Sequence, residues 1–395
     1  MYRYRMTTYL AEELERLENL HAPLHCNGAL SRRWAGRLRR EWEVGVVAAS
    51  VGIEGVPVTA DEVRRILAGD PPAWVCESDC GLVEGYREAV EYALRRADDD
   101  AFRWSREFVL QIHRRVMGVQ FDPAAGTFRH KNVWLGDQAS GVVVYQPPPF
   151  QDVPGLIDAM CEWAEGATDP TPVVAALVHV RLAGIHPFID GNGRVARVLA
   201  SVAMRRGGFG TQEFTSLEEW WGAHQDEYYA AFRELGHRWD PDADVTRFVT
   251  VHVRAQRRQV EAFWLKQAVE CEIWGILEGI VCEVLGQPVR LAEALFDGFF
   301  GRPVTNRYYR SLVGIGGKQA AEDLALLAER RLLGRVFDDP EEVFTGAFAL
   351  MSAVASASGA ALSPEAGSSV DRQRAHLVEV IARRIESEHR QEQPG

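Results

Sequence analysis

Twelve consecutive residues, His186 to Arg197, hold most of the reactive chemistry in this chain: His186, Asp190, Asn192, Arg194 and Arg197 around two glycines, Gly191 and Gly193. A neutral imidazole can take a proton from a hydroxyl, and a carboxylate offers hard oxygen to Mg²⁺. Glycines on either side of Asn192 permit positive φ and leave no Cβ in the way, so main-chain N–H groups can converge on an anion where a helix begins. The two arginines, three apart, fall on adjoining faces of the first helical turn and can fork to distal phosphate oxygens. Together these types and spacings predict a polyphosphate site with a base and a metal ligand beside it.

The elements that must position this loop are readable on both sides. Apolar residues at helical spacing from Pro172 to Ile185, with Pro172 in the first turn, predict one helix before it, and Val195 to Met204 predicts another after it. The whole string, His-Pro-Phe-Ile-Asp-Gly-Asn-Gly-Arg-Val-Ala-Arg, resembles the signature of the Fic family of protein adenylyltransferases position for position. That resemblance implies a mainly α fold, a Fic helical core with a β-hairpin flap. It implies transfer of AMP from ATP to a Ser, Thr or Tyr hydroxyl of a target protein, or of the enzyme itself, with release of pyrophosphate. By the same resemblance His186 is the base, Asp190 holds Mg²⁺, Gly191, Asn192 and Gly193 contact the phosphates, and Arg194 and Arg197 stabilise the outer ones.

A second motif, Ser50-Val51-Gly52-Ile53-Glu54-Gly55, reads by itself as a helix end closed by glycine. It also resembles the family's inhibitory motif, whose Glu pairs with the second signature arginine and displaces the ATP γ-phosphate. Here that pair is Glu54 with Arg197. Because the motif precedes the signature, the chain resembles the class with an N-terminal, intramolecular inhibitory helix. Two alternatives stay open: removal of AMP, with Glu54 positioning a water, and a nucleotide-sensing regulatory or partner-binding module. The intact His186 argues against the latter.

Between Gly126 and Pro149, Phe128, Val133, Leu135 and the Val142–Tyr145 run give β-type patterning around a polar turn, Asp137–Gly141, and predict a hairpin. The resemblance makes this the flap that clamps a target by strand addition and lies over the nucleotide at Val133. It also has Tyr228 and Tyr229 line the adenine pocket.

Composition bounds the remainder. The 395 residues are 47% apolar and 25% charged, with a net charge of −12, which excludes a general nucleic-acid binder, while the resemblance implies ATP and a target protein as partners. No apolar run approaches membrane-spanning length and no leader pattern opens the chain, so the reading is cytoplasmic, with no membrane partner. The six cysteines lack paired metal spacing and read as reduced thiols. Four regions are expected: 1–80, helical with the inhibitory motif; 81–266, the catalytic core; 267–348, a winged-helix-like domain; and 349–395, a linker from Ser352 to Ser369 and a charged tail helix. Helices at Tyr308–Val313 and Lys318–Glu329 and a strand at Leu332–Phe337 resemble a winged helix-turn-helix. Glu322, Asp323 and Glu329 against Lys318, Arg330 and Arg331 make a poor footprint for DNA, and a homodimer is left open. Elsewhere the pattern predicts helices over Leu10–Ala49, broken near His21–Asn27, and over Ser216–Leu235, Val245–Val269 and Glu272–Leu285.

Overall fold

The computed structural model describes residues 2–21, 32–69, 71–118, 124–136, 143–209, 216–338 and 341–392. The break expected at His21–Asn27 falls largely outside the described residues, as do Val142 and the turn Asp137–Gly141. The chain divides into two compact units, residues 1–262 and 263–395.

In the first unit the centre is a pair of helices flanking the signature loop, α7 (Thr171–Ile185) and α8 (Asn192–Arg206). Most positions of both are buried, so α7 is apolar nearly all round, as a core helix should be. Around them pack α4 (Glu77–Ala97) and α5 (Arg106–Val116) on α8, and α6 (Val153–Glu165) on α7. Ser105 caps α5, its Oγ accepting the Phe108 N–H at 3.2 Å. Where α4 crosses α5, Gly85 has no room for a Cβ, which would stand 2.4 Å from the Arg115 carbonyl oxygen. α1 (Thr8–His21) precedes α2 (Arg32–Ile53), and α2 packs against α4, against α3 (Ala60–Leu67) and against the short α9 (Glu218–Ala223). Thr59 and Glu62 close a reciprocal capping box at the start of α3, and Gly69, at φ 75°, follows its end.

The expected hairpin is present as β1 (Leu135–Gly136) paired antiparallel with β2 (Val143–Tyr145), Leu135 opposite Tyr145. It is pinned to the core by the Tyr145 hydroxyl, which donates to the Gly184 carbonyl of α7 at 2.9 Å.

Two helix boundaries differ from the sequence expectation. Ser216–Leu235 is not one helix but α9, then α10 (Gln225–Ala231), then a 3₁₀ turn over Phe232–Leu235. His224 breaks it at φ −129°, ψ 46°, its ring stacked on Trp220 at 3.9 Å. Conversely, the two helices expected after Val245 are a single α11 (Thr246–Gly279) with a π turn at Ile280–Val284, since Glu270 and Cys271 between them carry no breaker. The boundary between the two units falls within α11.

The second unit contains α12 (Arg290–Phe299), β3 (Val304–Thr305), α13 (Asn306–Val313), α14 (Gly317–Glu329), β4 (Leu333–Asp338) and β5 (Glu341–Gly346). Its sheet is antiparallel in the order β3-β5-β4. Asp323, counted above among surface acids, is buried instead and accepts from Arg290 Nε at 2.7 Å and from the Tyr309 hydroxyl at 3.1 Å. The expected linker is partly helix: α15 (Phe348–Ser358) takes in Ser352–Ser358, because Leu350, Met351, Val354 and Ala355 bury one helical face. A final helix, α16, spans Val370–Glu392. Among the described residues no helix is long and apolar enough to cross a membrane, and no disulfide joins the described cysteines.

Candidate active site

His186 ends α7 in the left-handed region at φ 49°, ψ 60°, a conformation that costs a non-glycine residue about 1–3 kcal/mol and persists only where its surroundings fix it. Its N–H still bonds to the Leu182 carbonyl at 2.9 Å. Desolvation pushes the half-buried imidazole down to about 4, with Arg129 adding to the shift and Glu54 and Asp190 opposing it, so it is neutral near pH 7. An approaching polyphosphate would raise it again toward its ordinary value.

The loop after it is closed from within. Asn192 is buried and its amide brackets Phe188, accepting the Phe188 N–H and donating to the Phe188 carbonyl, both at 3.0 Å. Gly191, at φ 78°, turns the chain into α8; a Cβ there would stand 2.7 Å from Met117 Sδ. The Asp190 carboxylate is largely exposed, Oδ1 taking the Gly191 N–H at 2.6 Å and Oδ2 lying 3.2 Å from Arg194 Nη2. Arg194 itself is turned beneath the loop, also donating to the Val116 carbonyl at 3.3 Å.

Arg197 is the meeting point of the two motifs. Its buried guanidinium donates to Glu54 Oε1 at 2.9 Å, to the Ser50 carbonyl at 3.1 Å, to Ser50 Oγ at 3.1 Å and to the Tyr228 hydroxyl at 3.4 Å. The Ser50–Gly55 segment closes a helix: α2 ends at Ile53, Gly55 sits at φ 85°, and Glu54 just beyond the end reaches Arg197 on α8. Gly193 makes room for it, since a Cβ there would stand 2.5 Å from Glu54 Oε1 and 3.2 Å from Arg197 Nη1.

Residues 103–204 match the model of the Fic/DOC family. That stretch takes in the signature loop, α7 and nearly all of α8, and over it the chain is similar to that family. Among curated proteins, the protein adenylyltransferase Fic of Nematostella vectensis is 28% identical over 221 residues, 54% of this chain and 47% of that protein. The protein of the same name from Drosophila willistoni is 38% identical over 181 residues, 44% of this chain and 34% of that one. The chain thus spans about half or less of the length of these curated relatives. Among solved structures, a Fic family protein from Desulfovibrio desulfuricans G20 superposes with a TM-score of 0.56 at 21% identity, covering 88% of this chain and 98% of that one. Residues 134–508 of Fic-1 from C. elegans give 0.51 at 25% identity, covering 64% and 71%.

The two tyrosines expected at the adenine pocket, Tyr228 and Tyr229, do different things. Tyr228 is buried, bonded to Arg197 and, at 3.1 Å, to His179 Nε2. Tyr229 is half exposed and its hydroxyl donates to the Ile53 carbonyl at 3.1 Å, next to Glu54. Val133 lies half-buried in the segment entering β1. For Mg²⁺ the fit is that of a shared site: among the described residues no cluster of three acidic, His or Cys side chains could hold a metal alone, while Asp190 presents an exposed carboxylate where phosphates would add the other oxygens.

Sequence reasoning missed the residues that hold the signature loop from outside. His113 stacks on Phe188 at 3.6 Å; its Nδ1 accepts the Gly126 N–H at 2.9 Å, so Nε2 carries the proton and faces the Asp190 carbonyl at 3.2 Å. Arg129 and the buried pair Tyr86–Glu218, joined at 2.5 Å, are likewise distant in sequence. The only advance signal was polarity inside an apolar pattern, as at His113 on α5.

Proposed function

We propose that this protein transfers AMP from ATP to a Ser, Thr or Tyr hydroxyl of a protein target, itself included, and that Glu54 holds it in check. The carrying observation is the 2.9 Å pair between Glu54 and the buried Arg197, the inhibitory contact that the sequence motif implies. His186 takes the proton of the attacking hydroxyl, which forms the new bond to the α-phosphorus as pyrophosphate leaves. The N-terminus of α8 favours the phosphates' negative charge, and Arg197, once free of Glu54, binds their outer oxygens. Asp190 would hold Mg²⁺, which when bound neutralises part of the phosphate charge. The winged-helix-like second unit serves packing or partner contact in this reading rather than DNA.

The test is incubation with Mg²⁺ and ATP labelled at either the α- or the γ-phosphate. The α-label should appear on protein and the γ-label should not, and His186→Ala should lower incorporation by about 10²- to 10⁴-fold with ATP binding retained. Transfer of γ-label would make the protein a kinase, and equal loss of ATP affinity would remove His186 from the role of base.

A further inference from the structure

Arg129 is 3% exposed and, among the described residues, pairs with no carboxylate. Its partners there are carbonyl oxygens, drawn from three separate stretches of chain. Nε donates to the His186 carbonyl at 2.9 Å, Nη1 to Lys131 at 3.1 Å, and Nη2 to Pro148 at 2.6 Å and Ile185 at 3.5 Å. Its own main-chain N–H donates to the Pro187 carbonyl at 2.9 Å. The carbonyls of Ile185, His186 and Pro187 are thus gathered on one residue, around the one non-glycine position in the loop with positive φ.

We propose that Arg129 is the positioning residue for His186: its fork fixes the left-handed backbone that aims the imidazole, and ties it to Lys131 and Pro148, which bracket the β1–β2 flap. A buried charge with four carbonyl contacts is poorly explained by stability alone, since an apolar residue of similar volume would avoid the cost of desolvating the guanidinium. What an apolar residue cannot do is hold carbonyls of the base loop and of both flap ends in one geometry. Its charge also has a use there. His186 is faced by the carboxylates of Glu54 and Asp190, which favour the imidazolium, and by Arg129, which opposes it and helps keep the base unprotonated.

This inference rests on the AMP-transfer reading for its kinetic arm only. In the Glu54→Gly background, Arg129→Lys and Arg129→Met should each lower kcat by about a hundredfold, the usual cost of displacing a reacting group by about 1 Å, while KM for ATP stays within about threefold. A rise in KM with kcat retained would make Arg129 a nucleotide contact and overturn the proposal. The second arm needs no activity: ¹⁵N NMR of the His186 imidazole across pH. Arg129→Met should move its titration upward toward the ordinary histidine value, whereas Arg129→Lys, which keeps the charge without the fork, should leave it low and change only the His186 backbone shifts. A titration unmoved by Arg129→Met, or His186 backbone shifts unmoved by Arg129→Lys, would overturn it whether or not the protein transfers AMP. If Arg129→Met fails to fold, the Lys variant decides by the same kinetic and backbone readouts.

Discussion

Replacing Glu54 by glycine removes the carboxylate that, among the described residues, hydrogen-bonds a guanidinium otherwise held by Ser50 and Tyr228. A charge-assisted hydrogen bond contributes about 1.5–3 kcal/mol, which corresponds to roughly a ten- to hundredfold change in occupancy. The Glu54 side chain is 25% exposed and that of Arg197 only 1%, so solvent screens one end of the pair and the lower part of that range applies. On the proposed reading ATP must displace this carboxylate, because two anions on one buried arginine repel. Glu54→Gly should therefore raise incorporation of α-labelled ATP by about ten- to fiftyfold, and Glu54→Gln, which keeps the shape with a weaker neutral bond, should fall between. Arg197→Ala should stay silent and remain silent combined with Glu54→Gly, since it removes the phosphate partner along with the restraint. If Glu54→Gly labels neither itself nor lysate proteins faster than wild type, the contact is only the end of α2 and the regulatory reasoning fails.

Asp190→Ala should lose Mg²⁺ dependence together with activity; an unchanged Mg²⁺ titration would place the metal elsewhere. Acid should destabilise the first unit. Burial depresses His252 to about 3 and His179 well below its ordinary value, so the unfolded chain binds more protons below about pH 6.5; stability present above that pH is lost toward pH 4 at about 1.4 kcal/mol per unit for each histidine. Denaturant midpoints flat between pH 7 and 4.5 would contradict this. Gly85→Ala should force α4 and α5 apart against the Arg115 carbonyl, cost about 1–3 kcal/mol and lower the thermal midpoint by several degrees; an unchanged midpoint would mean the crossing has slack.

The parts of this site legible beforehand were those encoded locally. Gly191 had to take positive φ, α7 and α8 declared themselves by period, and Ser50 to Gly55 carried a motif whose partner could be named as Arg197. What stayed hidden depends on contacts across the fold. Nothing near residue 129 marks Arg129 as the keeper of carbonyls 57 residues on, and Asn192, expected on phosphate, has its amide spent on Phe188 because the loop needs closing first. Helix joints failed for a related reason: His224 breaks a stretch whose pattern is continuous, while Glu270–Cys271 looked like a seam only because the apolar period weakens there.

The missing side chain at Gly193 has a consequence for how the proposed inhibition could be relieved by mutation. On the proposed reading, Glu54 and the incoming phosphates compete for the room beside Gly193, where a Cβ would stand 2.5 Å from Glu54 Oε1. A side chain at 193 would evict Glu54, but it would stand equally in the way of the phosphates that were to replace it. Routes to constitutive activity are therefore one-sided. On that reading they run through the tip of α2, by changing Glu54 or by a partner drawing the helix end aside.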